Sequence, residues 1–151
     1  MSLLIIEGAR KSGKSYLISQ QNKLPVFKFD FNSNFAEWNF SRSDENVHWF
    51  GLGKEVMLHE LDNSGFLPKM ITDRGILTNS VWGVFQGRIT ESQAKQDLIS
   101  FNNRGLFKKT KILLIDGNYD KTRNKDIWDA DDKRREEERG LFLSFSSCCL
   151  I

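Results

Sequence analysis

The chain has 151 residues, of which 22 are basic and 20 acidic, for a formal net charge of +2. A charge so near balance argues against bulk electrostatic attraction to nucleic acid or to a membrane surface, so a soluble protein handling a small molecule is the expectation. The length suits one domain spanning 1–151, able to bury about two thirds of its unfolded surface.

The apolar runs are far shorter than the roughly 20 residues that cross a bilayer, and the N-terminus carries no charged-then-apolar leader, which predicts no membrane association and a cytoplasmic location. Cys148 and Cys149 are adjacent and cannot staple a fold; His48 and His59 lie far from them without zinc-like spacing, so no structural metal is expected. The last four residues, Cys148-Cys149-Leu150-Ile151, match the form of a prenylation signal, with a pair of buried apolar thiols as the plainer reading.

In chain order, Leu3-Leu4-Ile5-Ile6 reads as a buried strand and Tyr16-Leu17-Ile18 as the start of a helix that fades near Gln20 to Asn22. Between them Gly8 and Gly13-Lys14-Ser15 satisfy G-x-x-x-x-G-K-[ST] in a strand-loop-helix context. Small residues let the backbone N–H groups of Gly8 to Ser15, Lys11, Ser12 and Gly13 included, curl around a phosphate. Lys14 would reach the β- and γ-phosphates of ATP, and the Ser15 hydroxyl would ligate Mg2+.

Pro25 to Phe31 alternates apolar and polar residues, as an edge strand with one wetter face does. Asn32 to Glu45, with Phe35, Trp38 and Phe40, reads as a long loop or short helix. Asn46 to Leu61 favours a helix that Gly51 and Gly53 should kink or fray. Lys69 to Arg74 is a short strand ending on a charged pair; Ile76–Phe85 and Glu91–Phe101 are two helices separated near Gly87. Lys111 to Asp116 is the clearest buried strand after the first. Leu141, Phe142, Phe145, Cys148 and Cys149 share one face of a final helix.

Strands alternating with helices predict an α/β fold: a three-layer P-loop NTPase arrangement with a parallel sheet of about four strands flanked by helices. Ligands then sit at the carboxyl ends of the strands, where Gly8, Asp30, Asp73 and Asp116 all fall. Asp73 suits a contact to phosphate-bound Mg2+, and Arg74 suits bidentate capture of an acceptor phosphate, although a charged pair at a strand end is often merely solvated.

The loop from Glu7 to Ser15, with Asp73-Arg74 and the following Thr78-Asn79-Ser80-Val81-Trp82-Gly83, resembles the thymidylate kinase and deoxynucleoside kinase family, over about residues 1–140. Small kinases of that kind are common in bacteriophages, which would place such a member in the host cytoplasm. The resemblance implies ATP and Mg2+, a nucleotide or nucleoside acceptor near Trp82, and catalytic roles for Lys14, Asp73 and Arg74. Val84-Phe85-Gln86-Gly87 is similar to the family's base-contacting A-Y-Q-G at a longer spacing, so Gln86 is either an acceptor contact or an exposed helix glutamine. Arg10 stands where the family has an aspartate; it or Lys11 would act on the transferring phosphoryl group as an internal arginine finger does. Asp30 would be the base for a hydroxyl acceptor, or an ordinary edge-strand aspartate. Trp49, Phe50 and Trp82 are either base-stacking rings or core.

The family's arginine-bearing lid matches 121–139, where Arg134, Arg135 and Arg139 are the candidates for the donor phosphates; a solvated helix face is the competing reading of this charge run. The family's fifth strand and terminal helix have no counterpart, so adenine would be held in a shallow pocket. A non-catalytic nucleotide-binding or interaction protein is the main alternative, and a polynucleotide 5′-hydroxyl kinase would require a basic channel. A homodimer is left open. A regulatory GTPase fails on context, because Asp62-Asn63-Ser64-Gly65 follows a helix and Asp116 to Asp120 does not form N-K-x-D. Motor ATPases would need a glutamate beside Asp73.

Overall fold

The computed structural model describes residues 3–10, 12–28, 43–116 and 130–149. Lys11, Asp30, most of the loop expected after it, the first part of the lid-like segment and the last two residues lie outside them.

Four parallel strands form the sheet: β1 (Leu3–Glu7), β2 (Val26–Lys28), β3 (Met70–Asp73) and β4 (Lys111–Leu114), in the order β2-β3-β1-β4. Parallel neighbours need a crossover, and helices supply each described one. They are α1 (Lys14–Ser19), α2 (Glu45–Asn63), α3 (Ile76–Phe85), α4 (Glu91–Asn103) and α5 (Ala130–Ser146), with a closing 3-10 turn at Ser147–Cys149. The result is an α/β fold with an all-parallel sheet flanked by helices. Ile6 pairs with Asp73 and Leu113, so the polar ends of β1, β3 and β4 emerge along one edge.

Local chemistry sets the helix starts. Asp44 Oδ1 accepts from the Asn46 N–H at 2.9 Å to open α2, and Thr90 Oγ1 accepts from the Gln93 N–H at 3.1 Å to open α4. The main core lies among Ile76, Leu77 and Val81 of α3, Leu98 of α4, and Phe142 and Phe145 of α5.

The expected edge position of β2 holds, but all of Val26, Phe27 and Lys28 are exposed, so the strand has no drier face. β4 corrects its expectation more strongly. It is the opposite edge strand, with Ile112 and Leu114 half-buried against the core and Lys111 and Leu113 exposed. α2 runs through Gly51 and Gly53 without interruption, because Asp44 caps it and Val47, Gly51 and Leu52 are buried along its inner side. Trp49 and Phe50 are exposed and are not core.

The charge run and the final helix are a single element, α5, and the run is not a uniformly solvated face: Arg135 and Glu138 are fully buried. Cys148 and Cys149 are free thiols packed at the edge of the core, where burial first and then Cys148 push Cys149 up to about 12.

At the amino end of β4, the buried His59 and Asp62 form a hydrogen-bonded chain with the half-buried Thr110. Thr110 Oγ1 donates to Asp62 Oδ2 at 3.0 Å, which leaves the hydroxyl oxygen to accept from His59 Nδ1 at 2.9 Å. The imidazole is therefore the neutral Nδ1–H tautomer, in keeping with burial pushing its pKa down to about 4. Asp62 sits inside α2, so its D-x-x-G does not end a strand.

Candidate functional site

The loop after β1 turns back so tightly that a side chain at Gly8 has no room. A Cβ there would lie 2.6 Å from the Ile115 carbonyl oxygen and 2.8 Å from Ser12 Oγ, and φ is +156°. Ser12 N–H donates to the Ala9 carbonyl at 3.2 Å, and Gly13, at φ +95°, opens α1. Ser12 Oγ is buried inside this loop without a hydrogen-bond partner among the described residues.

Lys14, the first residue of α1, is buried although it is a lysine. Its Nζ lies 3.3 Å from Asp73 Oδ1, a charge contact rather than an aligned hydrogen bond, and Lys28 Nζ lies 3.9 Å from Asp73 Oδ2. Burial lowers the Lys14 pKa, the neighbouring Arg74 lowers it further, and Asp73 opposes both. The parallel pairing of β1 with β3 brings this lysine and aspartate together from 59 residues apart. Ser15 is exposed one position further along α1.

Arg74 is the one non-glycine described residue with positive φ, at +72°. Left-handed backbone in an arginine costs of order 1 kcal/mol and needs support. Its N–H donates to the Ile6 carbonyl at 2.9 Å, and its Nη1 donates to the Gly8 carbonyl at 3.3 Å and Thr78 Oγ1 at 3.4 Å. The guanidinium thus joins the first loop to α3.

Glu7 was not among the sequence candidates, yet it organises the same junction. Its Oε1 accepts from the Leu77 N–H at 3.1 Å, and its Oε2 accepts from the Thr78 N–H at 3.2 Å and from the Thr78 hydroxyl. It caps α3 from a different strand, in place of a local side chain, and Gly75 permits the approach: a Cβ there would lie 2.7 Å from Ile5 Cγ2. Burial, opposed by the Thr78 hydroxyl and reinforced by Glu55, pushes the Glu7 pKa up to about 7. A glutamate ending an apolar strand immediately before the loop glycine was the signal available in the sequence.

Arg10 is held in place by α5. Its backbone N–H donates to Glu138 Oε1 and its Nε to Glu138 Oε2, both at 3.1 Å, while its guanidinium carbon lies 5.2 Å from the centre of the Trp82 ring. Arg10 and Trp82 are therefore neighbours. Arg139 makes a forked pair with Asp116, its Nη2 donating to Oδ2 at 3.0 Å and its Nε to Oδ1. This pair lines a small cleft together with Ala9, Ser12, Ile115 and Phe142. Arg134 is exposed and Arg135 is buried in α5. Gln86 caps the far end of α3, one turn beyond Trp82.

The arrangement presents cations, a carboxylate and the glycine-containing loop at one edge: Lys14, Arg74 and Asp73 converge there. No group of three or more metal-ligating side chains occurs among the described residues. No described helix is long and apolar enough to cross a membrane. Comparison of the chain with protein-family models, curated proteins and solved structures gave no match.

Proposed function

We propose that the chain is an ATP-dependent phosphotransferase of the P-loop NTPase class acting on a nucleotide or nucleoside, most closely a deoxynucleoside monophosphate kinase-like protein. The observation that carries the reading is the buried Lys14 beside Asp73 within a loop that only glycine at position 8 can close. An ammonium group removed from water is costly unless an anion offsets it, and Asp73 alone offsets it in part. A polyphosphate in the loop would complete that balance, and the unpartnered Ser12 hydroxyl offers it a donor.

Ser15 and Asp73 fit Mg2+, which keeps most of its waters and takes one or two protein oxygens. Bound there with the nucleotide, the metal would neutralise charge on the transferring group. Lys14 would hold the β- and γ-phosphates, and Arg74, fixed by Gly8 and Thr78, would orient an anionic acceptor. Arg10, committed to Glu138 and Trp82, holds the loop to α5 in this conformation.

The test is transfer from labelled ATP with Mg2+ to deoxynucleosides, deoxynucleoside monophosphates and 5′-hydroxyl oligonucleotides. Transfer to one class is expected, reduced at least about 100-fold by Lys14→Ala. The forked Arg139–Asp116 pair at the cleft favours a second reading, a nucleotide-binding protein without transferase activity. ATP binding that depends on Lys14, with no labelled acceptor, would select it.

A further inference from the structure

We infer that Glu7 is a positioning residue which, acting through the Thr78 hydroxyl, holds the Arg74 guanidinium with its Nε–Nη2 edge left for an oxyanion of the acceptor. The identity of that anion rests on the phosphotransferase reading; the hold on Arg74 rests on geometry alone. Glu7 is 0% exposed, so it reaches no ligand and acts only through its neighbours.

The direction of the hydrogen bonds among these three side chains is forced. A guanidinium has donors and no acceptor, and a threonine hydroxyl has one hydrogen. Arg74 Nη1 lies 3.4 Å from Thr78 Oγ1, so the hydroxyl accepts there and gives its hydrogen to its other partner, Glu7 Oε2. The chain therefore runs from Arg74 to Thr78 to Glu7 and ends on a carboxylate. A hydroxyl that donates to a charged acceptor is itself a stronger acceptor, which reinforces an Arg74 contact that is long on its own. The second Nη1 bond, 3.3 Å to the Gly8 carbonyl, is made by the residue that follows Glu7 in the chain. Both anchors of Nη1 thus trace to the end of β1.

The carboxylate also fixes where Thr78 stands. The Leu77 and Thr78 N–H groups donate to Glu7 at 3.1 and 3.2 Å, which seats the first turn of α3 against β1. Gly75 permits this, since a Cβ there would lie 3.1 Å from Glu7 Oε1. Arg74 needs such support because its backbone is left-handed, at φ +72°. With the Nη1 hydrogens directed at Gly8 and Thr78, the Nε–Nη2 edge is the remaining pair of parallel donors, and such a pair matches two oxygens of a phosphate.

The test follows Arg74 itself at about pH 8, where Glu7 is ionised, so that it does not depend on turnover. Rotation of the guanidinium is read by nitrogen-15 NMR, with the signal assigned by Arg74→Lys, alongside the KM for acceptor in the labelled-ATP assay. Thr78→Val removes the hydroxyl but keeps the side-chain shape and both backbone donors to Glu7. It should quicken the rotation and raise the acceptor KM by about tenfold each, with the KM for ATP and the circular dichroism unchanged. Thr78→Ser should bring both back to within about twofold of wild type. Glu7→Gln offers the hydroxyl a neutral oxygen or an N–H in place of a carboxylate and should quicken the rotation too. In the Thr78→Val background it should add less than about twofold, since it acts through that hydroxyl. Unchanged rotation in either single variant would overturn the inference, as would additive effects in the double variant. Released rotation with an unchanged acceptor KM would overturn the assignment of the Nε–Nη2 edge to the acceptor. If the wild type labels no acceptor, the phosphotransferase reading falls. The rotation then decides the hold on Arg74, and weaker calorimetric binding of inorganic phosphate by Thr78→Val decides the anion edge, equal binding overturning it.

Discussion

Glu7 concentrates several roles in one side chain. It ends β1, caps α3 and lies fully buried beside the loop that holds Lys14. Its carboxyl is pushed from the ordinary 4.5 to about 7 chiefly by burial, so the folded state binds its proton more tightly than the unfolded state. For a raised pKa, the contribution to stability is fully present below pH 4.5 and is lost as pH rises through about 7, a loss of about 3 kcal/mol. His59 runs the other way. Its pKa falls from 6.5 to about 4, so its contribution is present above pH 6.5 and is lost as pH drops through about 4. The two oppose each other across the interval they share, and wild-type stability alone would hide both. Glu7→Gln keeps the carbonyl acceptor and removes the titration. Its stability minus that of the wild type should therefore rise by about 3 kcal/mol between pH 4.5 and pH 8 in urea unfolding. A constant difference across that range would show that Glu7 does not titrate as described.

At the scale of elements, α5 is joined to the first loop through one buried carboxylate. Glu138 accepts both the backbone N–H and the Nε of Arg10, so the loop's second residue after Gly8 is anchored to a helix more than a hundred residues away. Glu138→Ala strands the Arg10 N–H, but the side chain of Arg10 is 37% exposed and can turn to water. The expected cost is about 1–3 kcal/mol, less than for a wholly buried pair. Amide exchange should quicken at Arg10 and Ser12 more than at Leu98 in the core; equal exchange at all three would mean that Glu138 does not hold the loop. Little of this link was legible in the sequence. Read as a charge run, Arg134 to Arg139 hides that Arg135, Glu138, Phe142 and Phe145 follow a 3-4-3 spacing on one buried face. The strand, tight turn and helix around Gly8 and Lys14 and the helix at 76–85 were readable because their signals are local. The edge position of β4 was not, since Ile112-Leu113-Leu114 has the same composition at the centre of a sheet or at its rim. Strand order depends on pairing with β1, and Glu7 and Glu138 act through partners at 70 and 128 residues' separation.

Across the whole molecule, the apolar core and the polar edge are separate, and they should respond differently to substitution. Phe142 and Phe145 bring α5 into the same cluster as Ile76, Leu77, Val81 and Leu98. The last helix is therefore part of the cooperative unit that supports the loop. Phe145 is fully buried, whereas Leu143, two residues earlier on the same helix, is 42% exposed. Phe145→Ala removes a ring from the centre of the core and should cost about 3–5 kcal/mol, including the cavity it leaves. That is a large share of the roughly 5–15 kcal/mol that holds a domain of this size together. Leu143→Ala should cost under about 1 kcal/mol, since most of what it loses already faces water. Urea unfolding followed by circular dichroism separates the two, provided the slope with denaturant is unchanged. Equal costs would mean that the cluster does not close on α5. A large cost at Phe145 with Arg10 amide protection lost in step would show that core and first loop unfold as one unit, because Glu138 then transmits the loss of packing directly to the loop.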